Sequence, residues 1–221
     1  MNQNIKIAVL GGGGKTGKYL VNHLIEKGYG LKILLRNLPV PDEPSDQFSL
    51  NLTNSFVEIV KGDAVNFEDI HALLSGCQVV ISTIGQRPGE PMVASIATGN
   101  ILKAMREYGI RRYILVAGIN IDTPFDKKSD QTKAATEWMK STFPTIHKDR
   151  AKSYDMLIKS DVDWTLVRLP MIEYTDQSFP VGVNSEDCLG SKISTKNIAV
   201  FLEEQLSDKT YVRKAPFLYN I

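Results

Sequence analysis

Four consecutive glycines followed by Lys-Thr-Gly occupy positions 11–17 of the chain. An apolar, β-branched run over residues 5–10 precedes them, and apolar residues at helical spacing follow over 19–27. The order strand, glycine turn, helix is the context that a dinucleotide-binding loop requires. Glycine accepts the positive φ of a tight turn, and a pyrophosphate can approach its bare backbone and rest on N–H groups at the helix N-terminus. The chain is therefore expected to begin with a nucleotide-binding strand-loop-helix unit.

The glycines fit more than one loop pattern. Positions 12, 14 and 17 give G-x-G-x-x-G, whereas positions 11, 14 and 17 give G-x-x-G-x-x-G. A mononucleotide P-loop requires G-x-x-x-x-G-K-[ST]. It fails in both registers, because Val9 stands at the first glycine in one and Tyr19 at the magnesium-binding hydroxyl in the other. We favour the dinucleotide interpretation over a P-loop and over a glycine turn that binds nothing.

Composition and charge exclude several other classes of protein. A chain of 221 residues suffices for one domain, and its net charge of +1 gives no electrostatic reason to expect nucleic acid or an acidic membrane surface as partner. We see no signal-peptide pattern and no apolar run of about 18 residues, and two cysteines fit a reducing compartment, so we expect a cytoplasmic protein. The three histidines lack metal-ligand spacing, so we expect no metal site and solvent-exposed or hydrogen-bonded rings.

Strand patterns and helix patterns alternate along the chain. Strand patterns cover residues 5–10, 31–35, 57–60, 79–83, 113–116 and 164–167. Helix patterns cover residues 19–27, 67–74, 91–108, 132–141, 148–160 and 195–206. This alternation predicts an α/β fold with a doubly wound parallel sheet, the NAD(P)-binding Rossmann fold, over the single domain 1–221. The weakly patterned segments at about 170–195 and 207–221 are expected to form a small substrate-side lobe, and the proline-containing stretch 39–55 a surface loop.

Arg36 follows the second predicted strand, at the position that discriminates between the two nicotinamide cofactors. An acidic residue here grips the ribose 2′-hydroxyl of NAD, while an arginine accommodates the 2′-phosphate of NADP. The chain has no carboxylate until Asp42, and Lys15 in the glycine loop adds a second positive charge. We therefore predict a preference for NADP(H) over NAD(H), although Arg36 could instead be a solvated strand end.

Two further strand ends are expected to flank the adenine and ribose, because ligands bind at the carboxyl ends of parallel strands. Asp63 follows the third strand, and Thr83, Ile84 and Gly85 follow the fourth. Each has a purely structural alternative. Asp63 could cap the next helix, and the turn after the fourth strand could be no more than a tight exit from the sheet.

Five segments, in order, resemble the atypical short-chain dehydrogenase/reductases of the NmrA-like, NAD(P)H-binding group. The loop at 11–17 is similar to that family's G-A-T-G-x-T-G, and the other four segments lie at residues 60–64, 76–82, 160–170 and 192–199. Members include flavin reductases, biliverdin reductases of type B and catalytically silent NADP sensors. The resemblance implies a cofactor site formed by Gly11, Gly13, Gly14, Lys15, Thr16, Gly17, Arg36, Asp63, Ala64, Thr83, Ile84, Gly85, Ala117, Gly118 and Pro170.

The chain departs from this family where catalysis is concerned. Typical short-chain dehydrogenases use Tyr-x-x-x-Lys, and none of the eight tyrosines here has a lysine four residues on. Tyr154 comes nearest, with Lys159 five residues later, and the fifth strand ends without the serine of many relatives. Arg150, with Lys148 beside it, stands where relatives place the helical lysine. The catalytic group is therefore unknown, with Tyr154, Arg150 and Lys148 as candidates.

An intact cofactor loop without a tyrosine proton donor favours hydride transfer to a planar, flavin-like acceptor such as FMN or riboflavin, since the cofactor carries that chemistry. We expect a small-molecule acceptor between residues Gln86, Arg87, Ile119 and Met171, all close to predicted strand ends. The alternative is a non-catalytic NADP(H) sensor whose surface changes for a protein partner. The oligomeric state is expected to be a monomer or a homodimer.

Overall fold

The computed structural model describes residues 5–38, 54–87 and 89–221. Strands and helices alternate through most of this length. In chain order the elements are β1 (Lys6–Leu10), α1 (Lys15–Glu26), β2 (Gly30–Leu35), β3 (Val57–Lys61), α2 (Phe67–Leu74), β4 (Val79–Ser82), α3 (Ala94–Tyr108), β5 (Arg112–Gly118), α4 (Asp130–Thr142), α5 (Pro144–Lys159), β6 (Asp163–Leu169), β7 (Met171–Glu173), β8 (Val181–Asn184), β9 (Lys192–Ser194), α6 (Thr195–Glu204) and β10 (Phe217–Asn220).

The predicted doubly wound sheet is confirmed. Within the described residues the main sheet has eight strands in the order β3-β2-β1-β4-β5-β6-β10-β8, parallel except for the β10–β8 pair. The strand order reverses between β1 and β4, and ligands of such sheets bind in the crevice at that point. Leu10 pairs with Leu34 on one side and Ser82 on the other, so the glycine loop leaves the sheet level with the ends of β2 and β4.

Both faces of the sheet are covered by helices, as the continuous apolar strands require. Ile7 and Val9 point to the face that α1 and α6 cover, while Ala8 and Leu10 point to the face that α2, α3 and α5 cover. All four side chains are fully buried. Because successive side chains of β1 point to opposite faces, the strand is packed into both apolar layers. The glycine loop therefore follows a strand whose position is fixed from both sides.

Helix α3 begins later than the sequence pattern predicts. The prediction placed its start at residue 91, with a proline in the first turn, but Pro91 precedes the helix and Ala94 is its first residue. The reason is a long-range contact. The buried carboxylate of Asp149 accepts hydrogen bonds from the backbone N–H groups of Ala94 and Ser95, at 2.8 and 3.2 Å, and so satisfies the helix N-terminus at that position.

The C-terminal third divides between two sheets. β8 and β10 extend the main sheet, while β7 and β9 pair in parallel with each other as a separate two-stranded sheet. The small substrate-side lobe stays a prediction. The surface loop predicted over 39–55 lies, up to residue 53, outside the described residues, as does Asp42. In the described parts of the chain, no helix combines the length and apolar character needed to cross a bilayer.

Candidate cofactor site

The glycines of the loop differ in how closely other atoms pack against them. Gly11 has φ +77°, and a Cβ there would lie 2.7 Å from the carbonyl carbon of Thr83. A Cβ on Gly17 would overlap the carbonyl oxygen of Gly11. A Cβ on Gly14, by contrast, would meet only that same oxygen, at 3.2 Å. Gly11 and Gly17 are therefore required by close backbone packing, whereas the exposed Gly13 and Gly14 leave room above the loop.

The N-terminus of α1 has the properties of an anion site. Gly14 is the N-cap residue, and no side chain within the described residues forms a cap hydrogen bond there. The first turn, described in full, carries no acidic residue. Backbone N–H groups and the positive end of the helix dipole therefore face the space above Gly13 and Gly14. Such a helix start can bind a pyrophosphate, and contacts of Lys15 and Thr16 with it stay predictions.

Lys15 also contacts the segment that follows β6. Its ammonium lies 5.1 Å from the ring centroid of Tyr174, a cation–π distance. Tyr174 comes directly after β7, so the small β7–β9 sheet reaches the start of α1. The glycine loop is thus bordered by that sheet on one side and by the β4 turn on the other.

Arg36 lies at the end of β2, as predicted, but it already has a partner. Its guanidinium donates two hydrogen bonds to the carboxylate of Glu90, at 2.8 and 3.0 Å, and lies 3.8 Å from Asp63. The hydrogen bond to Glu90 raises the pKa of Arg36 and lowers that of Glu90. Sequence patterns did not indicate this pairing, because 54 residues separate the two side chains.

Asp63 does not cap α2, so that structural alternative is wrong. The cap is Asn66, whose side-chain oxygen accepts the backbone N–H of Glu68 at 2.9 Å. One oxygen of Asp63 accepts the N–H of Val65 at 3.1 Å, and the other is the one that faces Arg36. Ala64, next along, is buried. The β3 end therefore presents a carboxylate beside Arg36.

The turn after β4 packs directly on the glycine loop. The backbone N–H and hydroxyl of Thr83 both donate to the carbonyl of Leu10, at 2.9 and 3.3 Å. Ile84 accepts a hydrogen bond from the Arg150 guanidinium. Gln86 forms hydrogen bonds with residues that follow it in the chain. Its amide nitrogen donates to the carbonyls of Arg87, Glu90 and Pro91, at 3.0 to 3.2 Å.

The three catalytic candidates on helix α5 have different surroundings. Arg150 reaches the β4 turn, and burial lowers its pKa. Lys148 is exposed to solvent. Tyr154 packs edge-on against Trp164 with ring centroids 5.9 Å apart, and burial raises the pKa of its hydroxyl. Of the three, only Arg150 contacts the predicted cofactor edge directly.

The ends of β5 and β6 complete the edge. A Cβ on Gly118 would lie 2.6 Å from the side-chain oxygen of Asn120, so the backbone after Ala117 passes close to other groups. Ile119 is buried, and its carbonyl accepts the Lys128 ammonium at 2.9 Å. Pro170 leads into β7, where Met171 is 77% exposed. Roles for these residues in binding cofactor or acceptor stay predictions.

A groove of about 630 Å³ adjoins this edge, and no sequence pattern predicts it. His147 lies in its wall with Nδ1 3.2 Å from the side-chain nitrogen of Asn120, which ties α5 to the end of β5. The groove is lined by Ile121, Asp122, Pro124, Phe125, His147, Ala151, Tyr154, Asp155, Ile158, Trp164 and Arg213. Its volume is in the range of small-molecule sites, and its walls mix aromatic with charged groups.

Comparison with known proteins agrees with this geometry. A family model described as NAD(P)H-binding matches residues 11–209. A short-chain dehydrogenase/reductase from Veillonella parvula, solved in complex with NADP, superimposes with a TM-score of 0.79 at 16% identity, over 98% of this chain and 94% of that one. An anaerobilin reductase, ChuY from Escherichia coli O157:H7, gives a TM-score of 0.75 at 16% identity, over 97% of each chain. At such identities the likeness concerns the fold.

The alignments with curated relatives cover about half of this chain. A putative dihydroflavonol 4-reductase from Synechocystis is 32% identical over 118 residues, which are 50% of this chain and 32% of that protein. An isoflavone reductase homologue, A622-like from Nicotiana tabacum, is 29% identical over 115 residues, which are 52% of this chain and 35% of that protein. The aligned regions thus span about a third of the length of these relatives.

Proposed function

Because this chain belongs to the NAD(P)H-binding family, we propose that it is an NADPH-dependent reductase that passes hydride to a planar, flavin-like acceptor. One observation carries the proposal. An open glycine loop at the start of α1 lies beside Arg36, while α5 holds Arg150 and no Tyr-x-x-x-Lys pair. The names of relatives and fold neighbours include several reductases, which supports the same class.

In this proposal the residues of the chain bind and orient the cofactor and the acceptor. The N–H groups at the start of α1 hold the pyrophosphate, and Arg36 binds the 2′-phosphate. The Thr83–Gly85 turn and Gly118 border the nicotinamide, with Arg150 held beside them by the carbonyl of Ile84. NADPH, when bound, supplies the hydride. FMN and riboflavin are the acceptors we expect first, at the edge formed by Gln86, Arg87, Ile119 and Met171.

A non-catalytic sensor of NADP(H) is the second candidate. The observation that favours it is the missing tyrosine–lysine pair, since binding the cofactor needs only the loop and Arg36. A sensor would bind NADPH as a reductase does and would leave every acceptor unreduced. Its output would be a change in affinity for a protein partner.

We expect Arg36→Ala to weaken NADPH binding roughly ten- to hundredfold, because a charge-assisted contact to phosphate contributes on the order of 1.5–3 kcal/mol. NADH lacks that phosphate, so its affinity should change little. Titration of both cofactors by calorimetry checks this, with Arg106→Ala, an exposed arginine at the far end of α3, as the matched control. Equal losses for NADPH and NADH would remove Arg36 from the 2′-phosphate.

We expect Tyr154→Phe to change turnover less than about twofold, since on the positioning mechanism no proton passes through its hydroxyl. Burial raises the pKa of Tyr154, which makes the hydroxyl a poorer proton donor. The measurement is kcat for NADPH oxidation with a flavin acceptor, with Tyr108→Phe on the surface of α3 as control. A hundredfold fall in kcat with unchanged NADPH binding would identify Tyr154 as a displaced catalytic acid.

A further inference from the structure

Glu90 occupies the hydrogen-bonding fork of Arg36. Its two carboxylate oxygens accept from the two terminal nitrogens of the guanidinium, at 2.8 and 3.0 Å. This bidentate geometry is the one in which arginine binds a phosphate. A carboxylate and a 2′-phosphate therefore need the same N–H donors of the same side chain.

The position of Glu90 is set by its loop. The side-chain amide of Gln86 donates to the carbonyl of Glu90 at 3.0 Å, and its oxygen accepts the N–H of Val93 at 3.3 Å. These bonds join the β4 end to the start of α3 and hold Glu90 over the end of β2. The pairing with Arg36 is thus accompanied by a hydrogen bond that holds the backbone of Glu90 to Gln86.

The charges around Arg36 also oppose the approach of a phosphate. Asp63 lies 3.8 Å from the same guanidinium nitrogen that binds Glu90, so two carboxylates face one cation. Arg87 lies 3.7 Å from Glu90 and offsets part of this negative charge. A phosphate that approached Arg36 would meet a group whose donors are engaged and whose neighbours repel it.

We propose that Glu90 is a specificity-determining residue that competes with the 2′-phosphate of NADP(H) for Arg36. The inference rests on the proposed function, in which Arg36 binds that phosphate. Glu90 must release the guanidinium before the phosphate binds, so the apparent affinity for NADPH is the intrinsic affinity multiplied by the fraction of molecules in which Arg36 is free. NADH lacks the 2′-phosphate, so its binding does not require Glu90 to release Arg36. Glu90 therefore narrows the preference for NADP(H) that Arg36 creates.

Glu90→Gln tests the proposal, because glutamine keeps the size of the side chain and removes its charge. We expect about a two- to fivefold lower Kd for NADPH, the range that loss of one partly exposed ion pair allows, and no measurable change for NADH. Adenosine 2′,5′-bisphosphate against adenosine 5′-monophosphate isolates the 2′-phosphate and needs no turnover. Glu107→Gln, which makes the same charge change on the exposed end of α3, controls for net charge.

The gain should vanish in the Arg36→Ala background, since there is then no guanidinium to compete for. An unchanged or higher Kd for NADPH in Glu90→Gln, in a protein whose NADPH binding depends on Arg36, would overturn the role of Glu90 and leave the proposed function intact. An equal gain in Glu107→Gln would also overturn it. If neither the wild type nor the variant distinguished the two adenosine probes, Arg36 would not bind the 2′-phosphate, and the cofactor preference itself would fail.

Discussion

Gly14→Val is expected to raise the Kd for NADPH more than about a hundredfold while the protein stays folded. The valine side chain would stand above the loop, where the phosphates approach the first-turn N–H groups of α1. Two charge-assisted hydrogen bonds lost at about 1.5 kcal/mol each suffice for a change of this size. The fold should tolerate the substitution, because Gly14 has φ −77° and ψ 168°, which a β-branched residue adopts readily, and its Cβ meets one atom at 3.2 Å.

Calorimetric titration with NADPH and thermal unfolding together check this expectation. Gly30→Val is the matched control, because a Cβ at Gly30 has its nearest neighbour 3.7 Å away, at the start of β2 and at the opposite end of the strands from the loop. That variant should bind NADPH like the wild type. A Gly14→Val protein with wild-type Tm and wild-type Kd would show that the cofactor binds elsewhere.

Arg168→Met is expected to lower the free energy of unfolding by about 3–5 kcal/mol, the usual effect of breaking a buried ion pair. The guanidinium is fully buried, donates to Asp126 at 2.7 Å and to the carbonyls of Ala215 and Ile121, and stacks 3.6 Å from the ring centroid of Phe217. Removal of Arg168 would leave the Asp126 carboxylate buried, with the Lys128 ammonium 3.6 Å away and two hydrogen bonds from Thr123 to offset its charge.

Urea unfolding checks the value, with Arg111→Met as control. Arg111 pairs with Asp161 at 3.3 Å on the surface, where both side chains are more than half exposed, so its loss should change the free energy of unfolding by less than about 1 kcal/mol. Equal effects of the two substitutions would contradict the structural role given to Arg168.

The fold was accessible to sequence reasoning because its signals are local. The apolar run of β1, the glycine turn and the amphipathic α1 follow one another, and the same alternation repeats through β6. Both the doubly wound sheet and the resemblance to atypical short-chain dehydrogenase/reductases are confirmed. The short strands β7 to β10 escaped prediction, because three- and four-residue strands carry too little periodicity to distinguish them from loops.

The site was accessible only in part, because its remaining contacts join distant positions. Gly14 and Arg36 could be placed from their own strand and turn. The Glu90 carboxylate on Arg36, the Asp149 carboxylate at the start of α3 and the Asn120–His147 contact each depend on how two elements pack. No local pattern encodes such a pair, so the charge that surrounds Arg36 became visible only in the folded chain.

NADPH oxidation by the purified 221-residue chain, with FMN, riboflavin and a quinone as separate acceptors, tests the central claim most directly. Each acceptor is paired with a reaction that lacks the protein and with one that contains Gly14→Val. We predict oxidation above the protein-free rate with at least one planar acceptor, and its loss in Gly14→Val. The contradicting result is that NADPH binds to the wild type but is oxidised no faster than in the protein-free reaction, whichever acceptor is used. That result would exclude a reductase of these acceptors and favour the NADP(H) sensor.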